Sequence, residues 1–423
     1  MPVRAHVAFL ALCLALAGFS PAAEPGASPA AAVASAGELS STASAVAATE
    51  SLIDVKTLVA KAQTLDLASD FQGARKILGD AYSKGVRDVD FLEALAVEEL
   101  KTGAPAEGFK RLDEARAAAG DKPELVLWAA VAASASGLDA EAARLRSKGL
   151  STAGDEEEAL YDLAEKFLRA GALSVSSALY RKINDVYPTD SQFDVFSYLH
   201  LAAYYHMTNR NNLAAGIMDR ARHPIEYSDV EIMTPQEVDY FRAYFRGMAA
   251  IRGGDLDAGV AILSDAAAAF PAGLAAQGEV VHALDAAGKK DRADGVYSMV
   301  MRDLLGKIAA SPEDHAAYNS RAFFGETAGR NLEGALEAVN MALAISPLRP
   351  EYLDTKTAIL LDLGRFDEAL VNQDRMIALI SAPRWAEPIL FDLAAWRRLD
   401  ILEKLGKPMP ASLRQLPEPA TAK

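Results

Sequence analysis

Cysteine is almost absent from this chain, and the single one lies in a segment that we expect to be removed. Among 423 residues only Cys13 is found, inside an apolar stretch at the N-terminus. The rest of the chain therefore has no thiol. This excludes a disulfide framework, a thiolate zinc site and a cysteine nucleophile from the rest of the chain.

Sequence signatures of catalysis are also missing. The chain has no glycine-rich phosphate loop, HExxH, GxSxG or CxxC motif. The six histidines are His6, His200, His206, His223, His282 and His315. His200 and His206 are six residues apart, which puts them on different sides of a helix, whereas a metal pair favours a spacing of three or four. We expect ordinary surface or groove histidines, no metal, no cofactor, no catalytic residue and no enzymatic activity.

Positive charge and aromatic residues are scarce. Lys and Arg number 43 against 58 Asp and Glu, so the formal net charge is −15. A protein this acidic is a poor match for nucleic acid or anionic lipid. Its negative charge either keeps the protein soluble or attracts a basic partner. Only 7% of residues are aromatic although 51% are apolar, and much of that fraction is alanine. Thin layers of packed helices fit this composition better than one large core.

The N-terminus reads as an export signal followed by a tether. Arg4 precedes an apolar run over residues 7–17 that is too short to span a bilayer, and small residues near Ala22 suit cleavage. We predict a signal peptide at 1–22, an Ala/Ser-rich flexible linker at 23–50, and a periplasmic protein with no transmembrane helix in the mature chain. Secretion, or a lipid anchor on Cys13, is a less favoured alternative because bulky Leu12 precedes the cysteine.

Glycines recur with a period of 34 residues. Gly103, Gly137 and Gly171 stand 34 apart, Ser69 lies 34 before the first, and Gly254 and Gly288 are again 34 apart. Gly329 and Gly364 follow at spacings of 41 and 35. Each period holds two amphipathic helices of roughly 12–15 residues, and glycine in the turn accepts a left-handed backbone that ends the first helix. The sequence therefore predicts repeated helix hairpins.

Helix starts and faces support this organisation. Thr234-Pro235-Gln236-Glu237 is a capping box with proline at the first helical position, and Ser311-Pro312-Glu313-Asp314 is a similar signal. The acidic run 155–158 suits a helix start. In the last unit two facing stripes have helical spacing: one is Leu353, Thr357, Leu360 and Leu363, and the other is Phe366, Ala369, Leu370, Gln373, Met376 and Ile377.

These units resemble the tetratricopeptide repeat, a 34-residue pattern with small residues where its two helices cross. The positions that carry the resemblance are Gly247, Gly254, Leu256, Gly259, Ala266, Pro271, Ala335, Ala342, Pro347, Gly364, Phe366 and Ala369. The resemblance implies an all-α, right-handed superhelical solenoid of about nine antiparallel hairpins with a C-terminal capping helix. We predict degenerate repeats at 52–222, then repeats and the cap at 235–405, the best of them at 315–380, and a loose tail at 406–423. The run Trp396-Arg397-Arg398, with its two charged residues, suits a solvent-facing cap.

The middle of the chain is unusual in its aromatics and in its length. Residues 187–245 hold eleven of the 31 aromatic residues, and the turn equivalent Asn209 lies 45 residues before Gly254, 11 over the period. The excess lies in RHPIEYSDVEIMTPQE, predicted to be an irregular connection. The aromatics either pack a joint between two sub-arrays or form a groove for a partner. In the second case the contact residues are Tyr198, Tyr204, Tyr205, Tyr227, Tyr240 and Tyr244.

A stacked-hairpin surface favours a non-enzymatic protein-binding scaffold. The resemblance, together with export, implies protein partners in the bacterial cell envelope, in a secretion, polysaccharide-export or outer-membrane system. The alternative is a glycan-binding or glycan-processing solenoid that uses a carboxylate pair and the central aromatics. A third possibility is a soluble part of an assembly whose pore is a separate chain. Partner identity, binding face and oligomeric state stay open.

Overall fold

The structure of the protein is a computed structural model. It describes residues 54–67, 70–186, 191–227, 233–270, 273–380, 394, 397–398 and 400–406. The predicted signal peptide, the linker, Ser69, Pro271 and most of the predicted tail lie outside the described residues.

Eighteen helices span the described part of the chain up to residue 380, and consecutive helices pair as nine antiparallel hairpins. They are α1 (Val55–Leu67), α2 (Phe71–Ser83), α3 (Val89–Lys101), α4 (Pro105–Ala119), α5 (Pro123–Ala135), α6 (Asp139–Thr152), α7 (Glu157–Arg169), α8 (Leu173–Val186), α9 (Gln192–Met207), α10 (Asn211–Tyr227), α11 (Pro235–Arg252), α12 (Leu256–Ala269), α13 (Leu274–Ala286), α14 (Lys290–Ala310), α15 (His315–Thr327), α16 (Leu332–Ile345), α17 (Pro350–Asp362) and α18 (Phe366–Ile380). Hairpin 1 is α1–α2 and hairpin 9 is α17–α18. The predicted all-α array of nine hairpins is confirmed.

The turns inside the hairpins have the predicted left-handed residue. The seven glycines at 103, 137, 171, 254, 288, 329 and 364 all have positive φ, and so does Asn209 at 63°. At Gly103 the amide of Gly103 donates to the carbonyl of Leu100, and that of Ala104 donates to Glu99. This pair of bonds satisfies carbonyls that the helix end would leave without donors. A second set of positive-φ glycines, at 85, 120 and 154, lies between hairpins, and sequence inspection missed it.

Small residues let the two helices of a hairpin approach closely. A Cβ added at Gly259 of α12 would lie 2.7 Å from the carbonyl oxygen of Gly247 in α11. In hairpin 8 a Cβ on Gly325 would lie 3.1 Å from that of Ala335. The repeat positions Ala266, Ala335, Ala342 and Ala369 are buried, and Phe366 packs at the edge of the core.

Lengthened helices account for the two irregular spacings. Residues 222–227, predicted to be irregular, belong to α10, which has 17 residues and is followed by the 18-residue α11. Part of the extra length is therefore helix. The 41-residue spacing before Gly329 arises because α14 has 21 residues.

One predicted helix start is confirmed and another is displaced. Thr234 and Glu237 form the capping box, since the hydroxyl of Thr234 accepts from Glu237 N–H and the Glu237 carboxylate accepts from Thr234 N–H. The second signal is shifted by three residues. Asp314 caps α15 through Ala317 N–H, while Ser311 ends the preceding helix.

The prediction of a solvent-facing charged cap is wrong for the described C-terminal residues. The Arg397 side chain is buried and its guanidinium donates to the carbonyl oxygen of Asp354 at 3.0 Å and to the Asp354 carboxylate. Arg398 is buried against Asp374 at 2.8 Å. Both arginines thus bond to hairpin 9.

Candidate binding groove

A cavity of about 610 Å³ lies along the first helices of hairpins 1 to 4. We call the side of the array formed by α1, α3, α5 and α7 the first-helix face, and this cavity the groove. Its apolar lining is Val59, Ala62, Leu78, Ala94, Val97, Trp128 and Ala170, and its polar lining is Gln63, Asp66, Asp90, Glu93, Glu98, Lys101, Glu124 and Lys166. Four successive hairpins therefore contribute to one continuous site.

Helix spacing explains why the groove lies at this end. In the C-terminal half, α15 packs on both α13 and α17. A Cβ at Gly278 of α13 would lie 2.7 Å from Thr327 of α15, so the two backbones are in close approach there. The contacts of α1 with α3, and of α3 with α5, are much sparser. The first helices of the N-terminal half stand apart and leave the groove between them.

A buried ion-pair cluster forms one end of the groove. Lys101 Nζ lies 2.6 Å from Asp66 Oδ1 and 3.5 Å from Glu98 Oε1. Burial disfavours the charged ammonium, yet these two carboxylates raise the pKa of Lys101. Lys101 is therefore charged and already neutralised by its neighbours.

Glu98 is the less satisfied member of this cluster. Burial, opposed by Lys101 and assisted by nearby Asp66, raises the pKa of Glu98 to about 7. Its Oε2 atom is buried and has no hydrogen-bond partner. A carboxylate that loses its solvation without gaining a donor is destabilised in its ionised form. A donor that enters the groove and reaches Glu98 would therefore stabilise the ionised carboxylate.

A second ion pair crosses three hairpins of the groove. Lys166 of α7 lies 2.6 Å from Glu93 of α3 and also contacts Glu124 of α5. Trp128 of α5 lines the same groove, is 1% exposed and packs against Phe167, with ring centroids 4.6 Å apart and ring planes tilted by 39°. The indole Nε1 of Trp128 is buried without a hydrogen-bond partner.

The groove is acidic. Five carboxylates line it, those of Asp66, Asp90, Glu93, Glu98 and Glu124, against the two ammonium groups of Lys101 and Lys166. With Glu98 ionised, the excess is three negative charges, which beside an apolar lining of low dielectric attract cations and repel anions. Sequence inspection missed this site because the residues that meet there are far apart in the chain.

The six tyrosines of the middle region are placed mostly in the interior. Tyr198, Tyr205, Tyr240 and Tyr244 are buried, at 3%, 7%, 2% and 0% exposure. Tyr204 is half-buried, and Tyr227 is the last residue of α10, with its side chain outside what the structure describes. The four buried tyrosines form no surface for a partner and no platform for a sugar.

Tyr240 shows how a buried hydroxyl is satisfied without solvent. Its hydroxyl donates to the carbonyl of Gly273 at 3.0 Å and accepts from the amide of Ala276 at 3.1 Å. It ties α11 to the start of α13, which is the role of a packed joint.

His200 and His206 are interior residues rather than surface ones. His200 is 3% exposed and stacks on Tyr180, with ring centroids 4.5 Å apart and an interplanar angle of 2°. His206 is fully buried and its Nδ1 lies 2.6 Å from Asn211 Oδ1. In the described ranges no group of three or more His, Cys, Asp or Glu side chains is arranged to hold a metal ion.

No helix of the described part is both long and apolar enough to cross a membrane.

Comparison with known proteins gives distant similarities of fold. No protein-family model matches the sequence, and no curated protein matches it. Among solved structures, the chain is similar to Naa15/Naa10 bound to HypK-THB, with 15% identity over 87% of this chain and 69% of that one and a TM-score of 0.30. It is also similar to the P58(IPK) TPR domain, with 14% identity over 84% and 99% of the two chains and a TM-score of 0.22. A third similarity is to the C-terminal part of a TPR repeat-containing protein from Cytophaga hutchinsonii, with 12% identity over 70% and 98% and a TM-score of 0.30.

Similarities of this size say nothing about what the chain binds. The chain's own geometry identifies its type. Left-handed residues recur at 34-residue intervals from Gly103 to Gly171 and from Gly254 to Gly288, each unit is an antiparallel hairpin, and small residues lie where its helices cross. By fold, this chain is an all-α array of helix hairpins that resembles tetratricopeptide-repeat proteins.

Proposed function

We propose that the chain is a non-enzymatic protein-binding scaffold whose groove receives an extended segment of a partner protein. The observation that carries the proposal is the continuity of the groove across four hairpins. Repeat arrays use such extended surfaces for recognition because each unit adds one more helix to the same face.

The dimensions and lining of the groove suit a peptide segment. Helices in contact lie roughly 8–10 Å apart, and these first helices stand farther apart than that, so four of them span at least on the order of 30 Å. That length corresponds to about nine residues of extended chain at roughly 3.3 Å per residue. The lining combines apolar residues such as Ala94 and Val97 with charged groups, which suits side chains of both kinds on one segment.

We further propose that the protein works in the bacterial cell envelope, where it supports a secretion, polysaccharide-export or outer-membrane system. The support is the sequence of the first 22 residues, with Arg4, a short apolar run and small residues near Ala22. N-terminal sequencing of the protein recovered from fractionated cells tests this. We expect a new N-terminus near Ala23 in the periplasmic fraction, and an intact Met1 in the cytoplasm would contradict it.

Site-specific photo-crosslinking in living cells tests the binding role. A photoreactive amino acid replaces Val97 in the groove, and in a matched control it replaces Val371, which is 72% exposed on α18. We expect one discrete crosslinked protein band from position 97 and none of the same mass from position 371. Equal crosslinking from both positions, or none from position 97, would remove the groove from the proposal.

A further inference from the structure

We infer that the groove recognises a basic side chain, arginine or lysine, of the partner segment, and that Glu98 is the group that receives it. This inference rests on the proposed function, because it names the chemistry of the segment that the groove takes. It does not concern the first-helix face as a whole, only the part next to Lys101 and Trp128.

Charge is the first argument. Five carboxylates and two ammonium groups line the groove, and both ammonium groups are already engaged. Lys101 lies against Asp66 and Glu98, and Lys166 against Glu93 and Glu124. An acidic segment would therefore meet net repulsion and no free cation, whereas a basic one meets an uncompensated negative field.

The unpartnered atom is the second argument. Glu98 is 6% exposed and lines the groove, and its Oε2 has no donor. Guanidinium and ammonium groups are donors with no acceptor, and bonds from them to a carboxylate are the strong, charge-assisted kind. A neutral donor such as a serine hydroxyl would satisfy the oxygen but would leave the negative charge uncompensated.

The apolar lining is the third argument. Arginine and lysine carry three or four methylene groups that pack on apolar surface while the charged end reaches a polar partner. Val59, Ala94 and Val97 of α1 and α3 supply such a surface in the same cavity as Glu98. A small inorganic cation would use the carboxylates but not this wall.

Selection from a random peptide library tests the inference. The purified protein is immobilised and presented with a library of random twelve-residue peptides displayed on phage. We expect the retained peptides to be enriched in Arg or Lys several-fold over the starting library. The strongest of them should lose at least roughly tenfold in affinity when the basic residue is replaced by a neutral isostere such as citrulline for arginine.

Two variants assign the effect to Glu98. Glu98→Gln should lower the affinity for the selected peptide by about tenfold. Asp66 remains as a carboxylate partner for Lys101 in this variant, so the fold is expected to survive. Glu99→Gln is the matched control, because Glu99 is the next residue of the same helix, is equally buried, has its carboxylate against Arg111 and does not line the groove. It should leave affinity unchanged.

A third variant keeps the test decisive if Glu98→Gln unfolds. Ala94→Leu fills part of the groove with an apolar side chain at a partly exposed position and removes no charge. We expect loss of peptide binding with unchanged helicity.

The outcomes separate the inference from the proposed function. Retained peptides without basic residues, or equal binding by wild type and Glu98→Gln, would overturn the inference and leave a peptide-binding groove. No retained peptide at all would count against both. Binding of a free organic cation such as agmatine, with no peptide retained, would overturn the claim that the cation belongs to a protein segment.

Affinity should also depend on pH. A cation beside Glu98 favours its ionised form, so binding should strengthen as pH rises through about 7, where burial has placed the pKa of Glu98. The other charged groups that line the groove are Asp66, Asp90, Glu93, Glu124, Lys101 and Lys166. This pH dependence should vanish in Glu98→Gln and persist in Glu99→Gln, and a dependence unchanged by Glu98→Gln would contradict the assignment.

Discussion

Single residues show how the array tolerates polar groups in its interior. The Arg397–Asp354 pair is almost fully buried, with side chains 4% and 0% exposed. Burial raises the pKa of Asp354, and Arg397 opposes that shift. Removing one partner of a buried pair leaves a charge without compensation, which costs far more than the pair itself contributes.

Replacing Arg397 by Met should therefore lower the free energy of unfolding by about 3–5 kcal/mol. Adding Asp354→Asn to Arg397→Met should recover a large part, because the uncompensated carboxylate is gone. The control Arg398→Met breaks a bond to Asp374, which is 40% exposed, and should cost less. Urea titration followed by circular dichroism measures all three, and equal losses for Arg397 and Arg398 would contradict the buried-pair account.

His200 gives the array a stability that depends on pH. It lies between Tyr180, Tyr161 at 3.3 Å and Glu165 at 3.5 Å, and burial lowers its pKa to about 4. The unfolded imidazole takes a proton below about 6.5, whereas the folded one resists until about 4. Stability from this residue is complete above pH 6.5 and is lost as pH falls toward 4.

We expect the free energy of unfolding of the wild type, measured relative to His200→Gln, to fall by about 2–3 kcal/mol between pH 7 and pH 4.5. The comparison with His200→Gln matters because Glu98 has the opposite sign. Its raised pKa makes the folded state bind a proton first, so its contribution grows as pH falls from about 7. That contribution is common to both proteins and cancels. Parallel stability curves for the two proteins would show that His200 is not responsible.

At the scale of the helix pair, the free energy of unfolding depends on how closely the two helices pack at the point where they cross. A Cβ on Gly259 would lie 2.5 Å from Ile251 Cγ1 and 2.7 Å from Gly247 O, and the second of these atoms is backbone that cannot rotate away. Alanine there forces α11 and α12 apart. The usual cost of overpacking, roughly 1–3 kcal/mol, exceeds the helix-propensity gain of roughly 0.5–1 kcal/mol.

Gly259→Ala should therefore destabilise the protein by about 1–2 kcal/mol net. The matched control is Gly295→Ala in the middle of α14, where an added Cβ would meet nothing within 4 Å. It should stabilise by about 0.5–1 kcal/mol. Thermal unfolding of both variants tests the opposite signs, and a stabilised Gly259→Ala would contradict the close-packed crossing.

Local signals explain why the helices and turns were predictable from the sequence. Gly103 and Asn209 mark turns because the left-handed backbone is a property of one residue, and Thr234 and Glu237 cap a helix within four residues. Predictions that depended on distant partners failed. Arg397 was expected to face solvent because its buried partner, Asp354, lies 43 residues earlier in the chain.

At the scale of the whole molecule, described contacts run mainly between neighbouring helices. Each hairpin packs on the next, and the array is continuous across the middle, where α10 and α11 pack together and Arg246 bonds Asp219 at 2.8 Å. In such a chain stability is close to a sum over units and their interfaces, so damage stays local.

Hydrogen exchange of Gly259→Ala should show this locality. We expect faster amide exchange in α11 and α12 and in the adjacent α10 and α13, with α1 to α4 unchanged. Wild-type protein at the same temperature is the reference. Uniform acceleration along the chain would indicate one cooperative core instead of a repeat array.

The groove belongs to this scale, which is why the sequence did not reveal it. Lys101 meets Asp66 across 35 residues and Lys166 meets Glu93 across 73. No short window contains the site. The aromatic residues at 187–245 are close together in the sequence, which made them candidates for a partner groove. In the structure those around Tyr240 and Tyr244 pack a joint between helices instead.

The equal length of the units around Gly103, Gly137 and Gly171 would allow a whole unit to be lost or duplicated without disturbing its neighbours. Ala104 and Leu138 are 34 residues apart and hold the same place, the residue just before the second helix of a hairpin. A deletion of residues 104–137 would join Gly103 to Leu138 and keep every later turn in phase. It would also remove Glu124 and Trp128, so the groove would shrink from four first helices to three. The length of segment that this protein can read is thus adjustable by the loss or duplication of whole units, while the neighbouring turns and caps stay as they are.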